Sequence, residues 1–456
     1  MEQRSIHERI KYEERDILQM LEERKYAELR EFLKETNEID IAEIISNLED
    51  KHYAMILFRM LSEESASQVF AYLDIDAQVE IVTNFSESEL REIMEELFFD
   101  DIVDLVEEMP AEYVNKVLRN ISREERQLMN EFLGYPEESA GSVMTIEYVS
   151  LYKSYTVKDA LDHIQKVGLR KETIYSSYVV DTNRRLNGII SLRKLVTSDP
   201  DLYISDIMET DVIYVHTDDD QEYVADLFIK YGFLAMPVVD KMERLVGIVT
   251  YDDVLRIIEE ETTEDFQKMA GVTPNDDVYL ETDARTLAKS RLPWIMILIV
   301  SATVTAFIIN MNLDLLGQFA ILSILMPMLT DTGGNASSQS STLIIRGIAT
   351  GEIEDEDLGK ILRKELQVST ILVLILVFVI LFRVLIISNE GMNVALTIVL
   401  TLTFTIYSSN IIGGALPIAA KKMGFDPAVM AVPMITTIVD AMSLMIYFNI
   451  ARIILL

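Results

Sequence analysis

Asp440 is a lone carboxylate inside an apolar run, Val432-Pro-Met-Ile-Thr-Thr-Ile-Val-Asp-Ala-Met-Ser-Leu-Met-Ile-Tyr-Phe448. A charge near the centre of a membrane helix costs roughly 2.5–3.5 kcal/mol on insertion scales, so such a residue faces a bundle interior or a water-filled path. There it meets a cation, a proton or a basic partner, and this chain offers few bases at that depth. A cation pathway is the expectation, with a protonated structural Asp440 as the alternative. Thr436 lies four residues earlier on the same helical face, and Pro433 frees a carbonyl one turn back that could line the path. A two-fold axis would set two such acids opposite each other. Magnesium dehydrates reluctantly and binds through one or two carboxylates while keeping several waters, which fits a paired Asp440 site.

A second polar constellation, Asp331-Thr-Gly-Gly-Asn-Ala-Ser-Ser-Gln-Ser-Ser-Thr342, falls in another apolar run. Polar groups at membrane depth are tolerated where they face protein or a water-filled cavity. Gly333 and Gly334 allow close backbone approach and are expected to expose carbonyl oxygens. Asn335, Ser338 and Gln339 supply neutral oxygens and donors suited to a cation's water shell. Small-residue helix packing is the competing role.

These residues need membrane helices to position them. Five are expected, at about 292–310, 317–345, 367–387, 392–420 and 428–454, each long enough for about 30 Å of hydrocarbon. The loop Asn310–Asp314 has no Lys or Arg, whereas the next holds Arg346, Lys360, Arg363 and Lys364. Ser388–Met392 again has none, and the fourth loop has Lys421 and Lys422. Basic loops favour the cytoplasmic side, which predicts the N-terminus inside and the C-terminus outside. Five spans make a small bundle, which a second copy could complete into a pore.

Charge divides the chain. Of 75 acidic and 40 basic residues, only 11 and 9 lie in 291–456, leaving residues 1–290 at net −33. Such an acidic part does not suit nucleic acid, and anionic lipid would repel it. It suits cations or basic partners, or else is simply a solvated acidic surface. There are no cysteines, and the histidines (His7, His52, His163, His216) are scattered, so a hard cation with oxygen ligands is favoured over a soft metal. The first residues lack the basic start and apolar core of a signal peptide, and the hydrophilic N-terminal part is expected to stay cytoplasmic.

Residues 1–135 read as short amphipathic helices forming a curved, superhelical all-α domain, with capping boxes at Ser86-Glu-Ser-Glu and Ser122-Arg-Glu-Glu. Residues 136–258 hold a repeat. Val179-Val-Asp-Thr-Asn-Arg-Arg-Leu-Asn-Gly-Ile189 aligns with Val238-Val-Asp-Lys-Met-Glu-Arg-Leu-Val-Gly-Ile248 at a shift of 59. Gly188 and Gly247 are expected in β-turns. Ser142-Val-Met-Thr and Asp206-Ile-Met-Glu precede β-branched strands in the two copies. This α/β pattern resembles a pair of cystathionine-β-synthase (CBS) domains, which often bind adenine nucleotides such as ATP between the copies. Thr250-Tyr-Asp-Asp253 matches the Thr/Ser-then-Asp turn that touches the ribose in such modules, while Ser191-Leu-Arg-Lys194 has Lys in place of the Asp. Nucleotide binding and a purely structural or cation-sensing module both stay open. Residues 259–290 are expected to form a connecting (plug) helix, with a break at Gly271–Asn275, that leads through Arg285–Arg291 into a transmembrane domain at 291–456.

Pro327-Met-Leu-Thr-Asp-Thr-Gly-Gly-Asn-Ala-Ser-Ser-Gln-Ser-Ser-Thr-Leu-Ile-Ile-Arg-Gly-Ile-Ala-Thr-Gly351, Gly424-Phe-Asp-Pro-Ala428 and Thr436-Thr-Ile-Val-Asp440 together resemble the MgtE magnesium channel family. The resemblance spans nearly the whole chain. It implies a homodimer in the membrane lipid, with a pore selecting magnesium at Asp440 and lined by Gly334, Asn335, Ser338, Gln339 and Thr436. It further implies closure by intracellular magnesium on Asp100 and Asp104, on Glu222 and Asp253, and on Glu261, Glu264 and Asp265. Ser337 and Ser338 stand where many members have Gly and Asn, and Arg256 where some have an acid. An ion-coupled divalent-cation (magnesium, cobalt or manganese) transporter is the alternative, and a membrane enzyme would need a nucleophile, base or metal cluster that the sequence does not show. There is no phosphate-binding Gly-x-x-x-x-Gly-Lys-Ser/Thr loop.

Overall fold

The structure is a computed structural model that describes residues 16–48, 50–275, 279–280, 282–387, 391–428 and 432–456. Residues 1–15 of the acidic N-terminal stretch, and 388–390 of the loop expected outside, lie beyond the described residues. The chain divides into two compact units, Met1–Ile258 and Glu259–Leu456.

The first unit begins with short helices: α1 (Tyr26–Glu35), α2 (Glu38–Asn47), α3 (Lys51–Phe58), α4 (Glu63–Ala71), α5 (Ile75–Asn84), α6 (Glu87–Glu96), α7 (Phe99–Glu108), α8 (Ala111–Asn120) and α9 (Arg123–Phe132). Ser, Asp or Asn caps start most of them. Both expected capping boxes are present: Ser86 receives the Glu89 N–H while Glu89 accepts the Ser86 N–H, and Ser122 pairs with Glu125 in the same way. Each helix is too short to be stable alone, so the apolar stripes decide the fold. Leu29, Ile41, Leu57, Val69, Ile81, Leu90, Val103 and Val117 are buried in one core, at about 1.5–3 kcal/mol per fully buried aliphatic side chain. On α7 the buried set is Phe99, Ile102, Val103, Leu105 and Val106. Asp100, Asp101 and Asp104 are left on the opposite flank of that helix.

The repeat follows as β1 (Val149–Tyr152), α10 (Val157–Val167), β2 (Ser176–Val180), β3 (Leu186–Ser191), α11 (Leu192–Val196) and α12 (Ile204–Ile207). The second copy is β4 (Val215–His216), α13 (Gln221–Tyr231), β5 (Ala235–Val239) and β6 (Leu245–Thr250), which leads into α14 (Tyr251–Met269). Each copy is a three-stranded sheet, with a parallel first pair and an antiparallel second pair. The shift of 59 extends to fine detail. A register slip at Val179/Val180 recurs at Val238/Val239, and left-handed Arg184 (φ 63°) recurs at Glu243 (φ 60°). The Asp181 carboxylate accepts from the N–H groups of Asn183 and Arg185, as Asp240 does from Met242 and Arg244.

Gly188 and Gly247 are not in those turns. They lie within β3 and β6, where a Cβ would stand 2.8 Å from Glu209 O and 2.6 Å from Met144 Sδ respectively. The glycines therefore admit the segments around Met208 and Met144, and in exchanged fashion. The lead-in of copy one bridges the sheet of copy two through Thr145 and Ile248, and that of copy two bridges copy one through Glu209 and Ile189.

The second unit takes in the last half of α14, then α15 (Ala284–Asn310), α16 (Leu313–Gln318), α17 (Ile321–Ala349), α18 (Leu358–Phe382), a π-helical turn at Arg383–Ile387, α19 (Met392–Lys422) and α20 (Val432–Leu455). Four of these helices are long and apolar enough to cross a membrane: Ala284–Asn310, Leu358–Ile386, Met392–Lys422 and Pro433–Leu455. α17, at 29 residues, has the length but carries the polar stretch from Asp331 to Thr342. α17, α19 and α20 pack against one another, α18 against α19, and α15 against α20. The core holds Leu322, Leu325, Leu329, Ile398, Leu402, Ile406, Leu444 and Phe448. The buried Tyr447 hydroxyl donates to Leu322 O at 3.0 Å.

One expectation is corrected here. α17 runs unbroken through Gly333 and Gly334, and the Gly334 carbonyl, expected to be exposed, instead accepts the Ser337 and Ser338 hydroxyls at 2.8 Å each. The connecting stretch at 259–290 is interrupted where the sequence places a break: the helix α14 runs from Tyr251 to Met269, left-handed Gly271 (φ 69°) follows, and Arg285–Arg291 belong to α15.

Candidate ion path and acidic cleft

Asp440 sits in the middle of α20, half-buried, with Thr436 one turn before it. Gly334 of α17 faces this pair directly. A Cβ added at Gly334 would lie 3.5 Å from Thr436 Cγ2 and 3.7 Å from Asp440 Oδ1. Gly333 instead faces Thr405, Val439 and Ser443 in the core. The two glycines thus do different work: one brings α17 onto α19 and α20, the other keeps the space beside the carboxylate clear. Among the described residues, the charged group that acts on Asp440 is Asp331, another acid, one turn before Gly334 on α17. Asn335 and Gln339 are exposed along α17 and Ser338 is half-buried. Thr436 donates its hydroxyl to Pro433 O at 2.9 Å. The carbonyl that Pro433 was expected to free belongs to residue 429, outside the described residues.

In the first unit, Asp100, Asp104 and Asp253 line one cleft of about 910 Å³, together with Asp101, Glu172 and Asp252. Among the described lining residues ten are acidic and one, Arg256, is basic. Arg256 Nη1 reaches Asp104 Oδ2 at 3.2 Å. Thr145 donates its hydroxyl toward Asp100 (3.3 Å) and Glu147 (2.8 Å), and Thr250 donates to Asp253 (2.6 Å). Burial first, then the neighbouring acids, hold the Asp100, Asp101 and Glu172 carboxyls above their usual range. Asp100 is well above it, Asp101 is pushed to about 7 by burial, Asp104 and Asp253, and Glu172 to about 7 by burial, Asp252 and Asp253. Burial also raises Asp253, against the Thr250 hydrogen bond. Like charges crowded in this way favour either protons or a cation.

Glu222 does not join that cleft. It is exposed at the start of α13, its N–H held by Asp220. Glu261, Glu264 and Asp265 share α14, but in the second unit. There Lys268 Nζ bridges Glu264 (2.8 Å) and Asp426 (2.9 Å). Burial alone would lower the Lys268 pKa, but the two carboxylates outweigh it and raise it. Burial, then Asp426, raises Asp265. Among the described residues no three acidic or histidine side chains converge into a ligand set.

Sequence reasoning passed over Asp101, Glu147, Glu172 and Asp426. Asp101 and Asp104 are three apart on one helix face, a readable signal. Glu147 and Glu172 lie in the first copy of the repeat, and only the fold brings them to α7. Lys194, the departure in the first repeat, is exposed, its N–H on Ser191 Oγ at 3.2 Å.

The helical bundle with an embedded acid, joined to an acidic repeat-bearing unit, defines an ion-transport protein. The family model for MgtE, a divalent cation transporter, matches residues 326–450. The MgtE intracellular N domain matches 36–138, and CBS domains match 140–200 and 204–260. A magnesium transporter MgtE of Thermus thermophilus is 35% identical, over 94% of this chain and 95% of its own. One of Bacillus subtilis is 31% identical over 95% and 96%. The chain belongs to the MgtE family of magnesium transporters. Among solved structures, the soluble part of a magnesium transporter aligns with 55% of this chain and 99% of its own, at 33% identity and TM-score 0.51. The cytosolic domain of the magnesium channel MgtE in complex with ATP aligns with 53% and 98%, at 36% identity and TM-score 0.50.

Proposed function

We propose that this chain is a magnesium-selective channel that admits the ion down its electrochemical gradient and is closed by intracellular magnesium. The observation that carries this reading is Asp440, facing Gly334 mid-helix, with an acid and not a base as its charged neighbour among the described residues. A carboxylate so placed needs a cation to compensate it. Magnesium here is cargo, held through its waters by Asp440, with Gly334, Asn335, Ser338, Gln339 and Thr436 around it. A potential of 100 mV supplies roughly 4.6 kcal/mol for a divalent ion, so no ATP hydrolysis is needed.

The functional protein is a homodimer in the cell membrane, with five spans per chain, the N-terminus inside and the C-terminus outside. α17 serves as the fifth span. The parts are the helical acidic domain (1–135), the CBS pair (136–258), the connecting segment (259–290) and the membrane domain (291–456). Regulatory magnesium is held by Asp100, Asp104 and Asp253 in the cleft, by Glu222, and by Glu261, Glu264 and Asp265. Two carboxylates about 4 Å apart repel by about 4 kcal/mol at an effective dielectric of 20, so divalent ions between facing acids favour the compact, closed state. The ATP complex of a relative's cytosolic domain supports an adenine nucleotide at the CBS pair, where Thr250 and Asp253 stand at the turn into α14.

The test is voltage-clamped recording from the purified protein in planar bilayers. Magnesium current that grows with the driving force and falls as magnesium rises on the side of residues 1–258 is the expected result. Electroneutral flux without current would favour coupled transport instead.

A further inference from the structure

Asp331 is a charged residue of the membrane unit to which the reading above gives no task in the ion path. It lies on α17 one turn before Gly334, about 4.5 Å along the helix axis, and Gly334 faces Asp440, where an added Cβ would stand 3.7 Å from Oδ1. Asp331 is close enough to Asp440 for direct electrostatic interaction. The two acids come from different helices, α17 and α20, which face each other at Gly334.

Asp331 is exposed on its protomer. It begins a polar stripe that continues through Asn335, also exposed, to Ser338 and Gln339, the i, i+4, i+7 and i+8 positions of one helix face. A membrane helix does not turn such a stripe toward lipid; it turns it toward water or protein. One candidate for a counter-charge is Arg383. Its guanidinium reaches α17 one turn before Asp331, but there it contacts Met328 Sδ at 3.1 Å. Among the described residues no ion pair to Asp331 is formed. The acid is spent neither on a salt bridge nor on packing.

We propose that Asp331 is a second cation-attracting carboxylate of the ion path, one turn from the Asp440 level, and that it sets the preference for divalent over monovalent cations. This rests on the reading that Asp440 lines the path. A divalent ion gains twice as much as a monovalent one from each added charge, so a second acid discriminates by valence even when the ion keeps its waters. The ligand is a hydrated divalent cation on its way to Asp440. The Asn335, Ser338 and Gln339 side chains offer neutral partners to its water shell.

The full-length chain in liposomes tests this with magnesium and potassium as probes. Asp331→Asn keeps the size of the side chain and removes the charge. Its half-saturating magnesium should rise roughly tenfold, the order expected for removing a unit charge at about 10 Å in a mostly aqueous path from each of two copies. The preference for magnesium over potassium should fall, and uptake at saturating magnesium should persist. Asp331→Glu should restore both quantities. Asp331→Ser serves if the Asn variant does not fold by gel filtration, with the same expected shift. Wild-type half-saturation and preference in Asp331→Asn, with Asp440→Asn silent, would overturn this inference alone. Loss of uptake at every magnesium concentration in a folded Asp331→Asn would also overturn it, since an attracting residue is dispensable at saturation. Normal uptake by Asp440→Asn would overturn the underlying reading instead.

Discussion

Gly334 of α17 faces Asp440 of α20 across a gap that would take one methyl: a Cβ on Gly334 would lie 3.7 Å from Asp440 Oδ1. That spacing is ordinary van der Waals contact, so Gly334→Ala should fold as the wild type does. It places a methyl beside the carboxylate, where the proposed ion's water shell would sit. Magnesium uptake should drop several-fold, roughly the effect of about 1 kcal/mol, with unchanged thermal stability in detergent. A variant that transports normally would mean that the ion passes elsewhere.

Gly413 of α19 behaves differently. A Cβ there would collide with the backbone oxygen of Ser337 on α17 and stand 3.0 Å from Ser340 Cβ. A helix backbone cannot retreat as a flexible side chain can, so Gly413→Ala should destabilise the bundle by about 1–3 kcal/mol. A lowered unfolding midpoint in detergent would show it. A midpoint equal to that of Gly334→Ala would mean that α17 and α19 pack less closely than described.

The acidic cleft predicts a pH dependence with a definite sign. Asp101 and Glu172 titrate near 7 in the folded chain and near 4 when unfolded. Between those values the folded state binds more protons, so stability without divalent cations falls as pH rises and levels off above about 7. After discounting for solvent screening of half-exposed groups, the loss is on the order of 1–2 kcal/mol. Hydrogen exchange of α7 in the full chain should quicken from pH 5.5 to 8 beyond the intrinsic rate change, and magnesium should reverse this most at pH 8. Unchanged protection across that range would contradict the crowding of these acids.

Lys268 ties α14 to the loop between α19 and α20 through Asp426. Asp426 Oδ1 also accepts the Ala428 N–H at 2.7 Å, so Asp426→Asn weakens an ion pair while keeping a hydrogen-bonding loop. The pair is partly exposed, and its loss should cost about 1 kcal/mol or less. Exchange at 264–270 should speed up several-fold while the rest of the membrane unit stays as protected as before. No change there would mean that Gly271, against Pro433 and Trp294, holds the segment alone.

Gating is tested by Glu261→Ala, Glu264→Ala and Asp265→Ala together. Losing repulsion favours closure, losing a bridging cation favours opening, and the second prevails at high cytoplasmic magnesium. The closing concentration should rise by at least about tenfold, within the usual range of coupling energies. Closure at the wild-type concentration would remove these three residues from the sensor.

Periodicity carried the sequence reading a long way, and tertiary contact set its limits. The capping boxes at Ser86 and Ser122 are local chemistry and stand where the spacing places them. The 59-residue repeat foretold two similar sheets, and even the slips at Val180 and Val239 obey it. The glycines of the repeat misled because turn propensity is local, whereas Gly188 and Gly247 answer to methionines from the opposite copy. The same holds at Gly333 and Gly334. Mid-helix glycines are tolerated where close packing requires them, and the Gly334 carbonyl, expected to be exposed, accepts the Ser337 and Ser338 hydroxyls within the helix instead. Asp100, Asp104 and Asp253 converge, but Glu222 does not, because its place on α13 follows from the topology of the second copy and not from its spacing.

The measurement that bears most directly on the central claim is magnesium uptake by purified Asp440→Asn in liposomes, set against the wild type at equal protein density. The substitution keeps the shape and hydrogen-bonding reach of the side chain and removes one negative charge from each copy. Uptake should fall to the level of empty liposomes while the protein still elutes as a folded species. Uptake at the wild-type rate would show that the Asp440 charge is not what draws the ion through.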